Sequence, residues 1–334
     1  MGTGLLAAGV AGALTVPAGL ALAKPPVPTQ PLAFEVVSLA IGRFQPQSEA
    51  TRFGALTFVG GLHLTSSFSG FGGISGLRLG GHDGRLLMVT DAGLFLSGRL
   101  ESEGLTPRAL TGMRAAPLID AKGRPLAHSG RGDAESLASG PQGVFVGLER
   151  ANEIWRFPGP DPLGQRGAPV SVPPGVKSLK RNVGLEALAL ITSGRRAGTL
   201  IAIGEAGPAR DADLPGFLIG GPQPGGFSIA KSGRFNATDA DIGPDGKLYL
   251  LERHFSFLDG VSMQIRRFAL DHIVPDARVD GEVLIRADMG HEIDNMEGLA
   301  VTAGASGEIV LTLVSDNNFS AFQRTLLLRF VLAA

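Results

Sequence analysis

The sequence predicts an all-β chain folded as a single β-propeller. Three observations lead there. A motif recurs five times at spacings of 51 to 60 residues. The composition is turn-rich, with 49 Gly and 22 Pro. No amphipathic helical period appears after residue 24. Repeats of this length, each supplying three or four short antiparallel strands, have the size of propeller blades.

Each copy of the motif opens on a small or acidic residue, continues into an aliphatic pair, turns, and runs into an apolar strand that ends in an acid. The first is Ser75-Gly76-Leu77 with Leu86 to Asp91, and the second Glu135-Ser136-Leu137-Ala138 with Val144 to Glu149. The third is Glu186-Ala187-Leu188-Ala189 with Leu200 to Glu205. The fourth is Asp239-Ala240-Asp241-Ile242 with Leu248 to Glu252, and the fifth Glu297-Gly298-Leu299-Ala300 with Ile309 to Asp316. Asp83-Gly84, Gln142-Gly143, Asp245-Gly246 and Ser306-Gly307 fall between the two strands, where a hairpin turn needs positive φ. Three copies continue into a third strand ending in Arg-Phe, at Phe157, Phe268 and Phe330.

The length after the expected signal peptide, divided by the mean spacing, falls between five and six units and favours six blades, with five as the alternative. The sixth would combine Phe34 to Leu64 with the C-terminal strand from Arg324 to Leu332. Termini sharing one blade would close the ring and leave no free sheet edge there. The stretches 104–132 and 207–235, rich in Gly, Pro and charge, read as loops over one face.

The first residues read as targeting. Leu5 to Leu22 is apolar apart from Thr15, ends in Ala21-Leu22-Ala23, and is followed by Lys24-Pro25-Pro26. This is a signal-peptide pattern over residues 1–23, although it lacks the basic n-region, and it implies a periplasmic or secreted protein. An uncleaved anchor is the alternative; the Gly/Ala-rich stretch is short and weak for a span. The remaining chain, 24–334, reads as one domain, with no stable membrane insertion once the signal is cleaved. A monomer is expected.

Lys and Arg number 30 against 31 Asp and Glu, so the net charge is -1 and there is no footprint for nucleic acid. The absence of Cys excludes disulfides, thiolate metal sites and Cys nucleophiles.

Chemistry is expected where the repeats bring side chains together. In a propeller the innermost strands line the axis, so equivalent positions meet in space. One column comprises Ser75, Glu135, Glu186, Asp239 and Glu297; a second comprises Asp91, Glu149, Glu205, Glu252 and Asp316. Carboxylates gathered around one axis must be protonated, paired with Arg or Lys, or bound to a cation. Hard oxygen donors suit Ca²⁺ or Mg²⁺. The competing reading makes each carboxylate a clamp on the backbone of the next blade. Arg150, Arg253, His254 and Arg324 stand near the anchors and are candidates for an anionic substrate group. Arg78, Lys180 and Arg181 lie near others, and Asn152, Asn182, Asn236, Asn295, Asn317 and Asn318 could add amide oxygens. There is no Gly-x-Ser-x-Gly elbow, no His-Glu-x-x-His and no phosphate loop.

These motifs resemble the bacterial phytase-like family, described as having esterase-like activity of phytase. The resemblance rests on Phe71-Gly72-Gly73-Ile74-Ser75-Gly76-Leu77, Val89-Thr90-Asp91, Asp133-Ala134-Glu135-Ser136-Leu137, Asn182-Val183-Gly184-Leu185-Glu186, Leu251-Glu252-Arg253, Asn295-Met296-Glu297-Gly298-Leu299 and Ser315-Asp316-Asn317-Asn318-Phe319. It covers the chain from about Phe34 to Phe330. It implies an exported propeller that hydrolyses phosphate esters or other small-molecule esters, with calcium as the candidate cofactor.

From the repeat geometry, Glu135, Glu186, Asp239 and Glu297 are the expected ligands or bases. Asp91, Glu149, Glu252 and Asp316 are further ligands. A non-catalytic binding scaffold and a gluconolactonase-type lactonase are the alternatives.

Overall fold

Each repeat anchor opens the strand nearest the axis, and the apolar run that follows pairs with it antiparallel. The computed structural model describes residues 25–80, 83–180, 183–256 and 258–332; the expected signal peptide over 1–23 lies outside them, as do Arg181 and Asn182.

Among the described residues the strands form five blades, the alternative that the repeat spacing left open in place of six. From the axis outward, blade one is Ile74–Leu79, Arg85–Thr90, Leu94–Glu103 and Thr106–Pro117, edged by Leu32–Ala33. Blade two is Ala134–Gly140, Gly143–Leu148, Glu153–Phe157 and Ala168–Val170. Blade three is Leu185–Leu190, Leu200–Gly204, Leu214–Ile219 and Gly225–Ile229, with Arg278–Val279 added in parallel. Blade four is Asn236–Ile242, Lys247–Ser256, Gly260–Ala269 and Glu282–Ala287. Blade five is Asn295–Ala303, Ile309–Asp316, Thr325–Leu332, Leu56–Thr65 and Val37–Ile41.

The termini do share a blade: Thr325 pairs with Leu64 and Leu332 with Leu56. They complete blade five, already begun by the Glu297 repeat, so the expected sixth blade is the outer half of the fifth. Two expected loops also contain strands. Thr106–Pro117 lies in one, and Leu214–Ile219 with Gly225–Ile229 in the other. Outer strands meet solvent on one face and so carry the polar residues and glycines that resemble loop composition. The hairpin glycines behave as expected, with φ of +64° at Gly84, +117° at Gly143, +70° at Gly246 and +89° at Gly307.

Among the described residues there is no single apolar centre. The core is divided into five clusters, each lying mainly between neighbouring blades. Leu87, Val89 and Phe95 of blade one meet Leu137, Val144 and Val146 of blade two. Leu62, Val314 and Leu327 of blade five meet Ile74, Leu77 and Met88 of blade one. Side chains alternate across each sheet, so every blade feeds two clusters.

The inner strands pack in a closed ring, and one guanidinium crosses it. Arg78 of blade one forms a bidentate pair with Asp239 of blade four, at 3.0 Å from Nη1 to Oδ2 and 3.2 Å from Nη2 to Oδ1. Its Nη2 also donates to Leu188 O and Ala240 O at 2.6 Å each, and Nη1 to Leu299 O at 2.9 Å and to Leu77 O. Asp239 in turn accepts from Leu299 N at 2.8 Å and from Leu77 N at 3.4 Å. One ion pair therefore joins blades one, three, four and five. Burial raises the Asp239 carboxyl to about 6, against the pull of Arg78.

Removing one member of a buried pair strands the other. Arg78→Met is expected to lower stability by about 3–5 kcal/mol in urea denaturation. The loss should be larger at pH 8 than at pH 5. Without Arg78 the Asp239 carboxyl holds its proton to still higher pH, and stability gained by protonation disappears as pH rises. A loss under about 1 kcal/mol at both pH values would contradict this role.

Candidate functional site

Every inner strand carries a β-bulge at the same place. Ile74 and Gly76 pair with consecutive partners, Thr90 and Val89, so Ser75 is the extra residue. The same shift makes Glu135, Glu186, Thr238 and Glu297 the extra residues of blades two to five. A bulge leaves one residue outside the ladder and re-aims its side chain. Here five bulges form a ring around one end of the axis, three of them occupied by glutamate.

The second column follows from the same register. Asp91, Glu149, Glu205 and Asp316 lie opposite the residue just before each bulge pair, facing Gly73, Asp133, Gly184 and Asn295. In blade four the equivalent residue is Arg253, opposite Asn236. The second ring is thus four carboxylates and one arginine.

Blade four departs from the sequence columns by one residue in both rings. Thr238, rather than Asp239, is the bulged residue, and Asp239 belongs to the axial pair with Arg78. Glu252 faces away from the axis and is buried in its own blade. Arg266 Nη2 reaches its Oε1 at 2.6 Å and Arg266 Nε its Oε2 at 2.7 Å, while Gln264 donates to Oε2 at 2.7 Å. Matching acid to acid picks out Asp239 and Glu252; backbone register selects their neighbours.

The remaining carboxylates converge. Ligand oxygens of Asp133, Glu135 and Glu149 lie within 4.8 Å of one another, and so do those of Glu149, Glu186 and Glu205. Glu149 is common to both groups, so the acidic cluster can hold a metal ion. Asp133 is a member that the sequence columns omit, although it stands in the Asp133-Ala134-Glu135 motif. Glu135, Glu186 and Glu205 remain half-buried, which leaves the cluster reachable from solvent.

Burial and mutual repulsion set the protonation of this end. Burial, then Glu135, Glu297, Glu205 and Glu149, push the Glu186 carboxyl well above its usual range. Burial also raises Glu149 and Glu205, the latter opposed by Arg253. Glu297 is raised to about 7 by burial, although Arg253 Nη2 stands 3.1 Å from its Oε1. Asp316 is raised by burial and by Asp91. Glycine makes this crowding possible near Asp91: a Cβ on Gly73, whose φ is +60°, would collide with Asp91 Oδ1.

Some of these acids also clamp neighbouring blades. Gly184 N donates to Glu149 Oε1 at 3.3 Å, and Asn236 Nδ2 to Glu205 Oε1 at 3.3 Å. The expected basic residues divide. Arg253 faces the cluster with its Nε buried and without a hydrogen-bond partner among the described residues. Arg150 pairs with Asp133 at 2.7 Å on the rim. Arg324 is held by Glu292 at 2.7 Å and by Asp294 at 3.7 Å, outside the two rings. His254 lines a separate basic pocket beside Asn236.

The family described as phytase-like, esterase-like activity of phytase, matches residues 69–319. None of the curated proteins matches. Among solved structures, the chain is similar to the glutaminyl cyclase of Myxococcus xanthus at 14% identity and a TM-score of 0.42, over 79% of this chain and 92% of that one. It is also similar to the Cps50 (Swd1) propeller domain of Myceliophteria thermophila, at 8% identity, a TM-score of 0.37, and 78% and 96% coverage. A third is the six-bladed lectin of Aleuria aurantia, at 13% identity, a TM-score of 0.37, and 72% and 71% coverage. Likeness at this level says nothing about activity.

The raised carboxyls fix the sign of the pH dependence. A carboxyl whose folded value exceeds its unfolded one stabilises the fold below the unfolded value and loses that contribution as pH rises through the folded value. For Glu297 the window runs from 4.5 to about 7, worth about 3 kcal/mol. Carboxyls lowered by their partners, such as Asp120 and Asp213, act below it. In EDTA, stability against urea should therefore fall between pH 4.5 and pH 7, and Glu297→Gln should make the fall shallower. A stability that rises with pH across this range would contradict the assignment.

Proposed function

The chain belongs to the phytase-like family, and on that footing we propose that it is an exported hydrolase of small-molecule esters, phosphate esters among them, assisted by a divalent cation at the acidic end of the axis. The observation that carries this reading is the pair of carboxylate groups sharing Glu149. Their chemistry fits a hard cation, calcium being the candidate, because every donor is oxygen. A buried amide oxygen adds to the fit: Asn152 Oδ1 has no hydrogen-bond partner among the described residues. The absent side chain of Gly184 leaves room there, since a Cβ would lie 2.9 Å from Asn152 Oδ1 and 2.8 Å from Glu149 Cγ.

Asp133, Glu135, Glu149, Glu186 and Glu205 would hold the cation. When bound, it would acidify water and draw charge from the ester oxygen. The chain's own groups supply the rest. Glu186, pushed well above the usual carboxylate range by burial and by its neighbouring carboxylates, keeps its proton to higher pH than a free carboxyl and would give it up when the cation binds. Arg253, fixed by Glu297, offers positive charge towards an oxygen that gains negative charge.

One observation favours a non-catalytic scaffold instead: Glu149 and Glu205 each bond a group of the next blade, as clamps would. Calcium separates the two readings. After EDTA treatment, millimolar Ca²⁺ should raise the unfolding midpoint by several degrees, because a ligand of the native state alone stabilises it by mass action. Glu149→Gln should abolish that rise and reduce hydrolysis of p-nitrophenyl phosphate and p-nitrophenyl acetate at least a hundredfold. No calcium-dependent shift and no hydrolysis would leave the scaffold reading.

A further inference from the structure

A cavity of about 320 Å³ lies beside the acidic cluster. Lys180, Arg210, Lys231, Arg234, Asn236 and His254 are among the residues that line it. Among the described residues that line it there is no carboxylate. Four cations around one hollow repel each other unless an anion is present. Part of that charge is held in place: Lys180 Nζ donates to Pro208 O at 2.9 Å, and Arg234 Nη1 stands 3.5 Å from Asp259 on the hairpin tip. Among the described residues Arg210 makes no ion pair. His254 Nε2 is buried with no hydrogen-bond partner among the described residues. Burial, Arg234 and Arg210 lower its pKa, so the ring is neutral and can donate one N–H.

The pocket is joined to the cluster by two hydrogen bonds. Lys231 Nζ donates to Asn236 Oδ1 at 2.6 Å, and Asn236 Nδ2 donates to Glu205 Oε1 at 3.3 Å. An anion beside Lys231 would therefore sit next to the carboxylates without entering them. Asn236 separates the opposite charges and orients each, because its carbonyl faces the ammonium and its amide faces the carboxylate.

We propose that this pocket is an anion subsite that binds a phosphoryl group, held by Arg210, Lys231 and Arg234, and that it selects phosphorylated esters. This deepens the hydrolase reading and rests on it for the word substrate; binding of the anion does not depend on it. Guanidinium groups suit a tetrahedral oxyanion because they donate in pairs, and the compact ammonium of Lys231 adds a point charge. Two sources share this chemistry: an intact phosphate ester and inorganic phosphate released from one.

The test uses the full chain in EDTA, titrated calorimetrically with inorganic phosphate. One phosphate per chain should bind, more weakly as ionic strength rises. The Arg210→Ala/Arg234→Ala double variant should weaken binding at least tenfold, while Arg150→Ala, which pairs with Asp133 and does not line the pocket, should bind as the parent does. Arg210 and Arg234 are exposed, so the double variant should keep the parent unfolding midpoint. With calcium, the double variant should show a KM for p-nitrophenyl phosphate raised at least fivefold at unchanged kcat, and no change with p-nitrophenyl acetate. A higher KM for the ester together with weaker phosphate binding identifies the substrate's phosphoryl group; weaker product inhibition by phosphate at unchanged KM assigns the pocket to released phosphate and overturns the selection of substrates. Phosphate binding that is absent, or that survives the double variant, overturns the pocket. Arginine-dependent binding without hydrolysis of either ester keeps the pocket and removes the hydrolase reading.

Discussion

Five inner strands meet at an axis that apolar side chains do not fill, and Arg78 occupies it. The apolar clusters lie between blades, so adhesion of each blade to the next is hydrophobic while the centre is left to polar groups. Backbone groups facing that centre need partners, since an unpaired buried carbonyl or N–H is strongly disfavoured. The Arg78 guanidinium serves carbonyls from four inner strands, and Asp239 balances its charge while accepting two further N–H groups from across the ring. One pair thus fixes how closely the blades approach, and with it the spacing of everything built on the inner strands.

The carboxylate cluster is built on that spacing. Each bulge releases one residue from its ladder a few positions from the axial pair, and the ring geometry aims the released residues at one another. Glu135, Glu186 and Glu297 would repel in any arrangement. They persist because the hydrophobic interfaces and the Arg78 pair hold the strands whatever the charge at their ends. The result is a group of partly buried carboxyls held above their usual range, next to a pocket lined by cations and, among the described residues, by no acid. Opposite charges are kept apart by Asn236, so each region remains available to a ligand of the other sign.

Much of this was legible from the repeats. The five anchors, the Gly turns and the closing pairing of the termini follow from short-range patterns, namely alternation, turn chemistry and spacing. What the sequence hid depends on register. A bulge adds one residue without a compositional mark, so in blade four the acids nearest the expected positions, Asp239 and Glu252, stand one residue from the true equivalents, Thr238 and Arg253. The outer strands were hidden for a different reason. Half of each faces solvent, and Gly225 and Gly226 supply no side chain to pack. Lys231 and Arg234 fall in that same stretch, which is why the basic pocket had no signal of its own.

The central claim is that the clustered carboxyls raised by burial, Glu149, Glu186 and Glu205, hold their protons to higher pH in the free protein and exchange them for a divalent cation. Proton release on calcium binding measures this directly, because ligating carboxylates must be deprotonated. Calorimetric titration of the EDTA-treated protein at pH 6 and pH 8, in two buffers of different ionisation enthalpy, gives the number of protons released. The account predicts release of about one proton or more at pH 6 and less at pH 8. Calcium binding without proton release at pH 6, or no calcium binding at either pH, would contradict it.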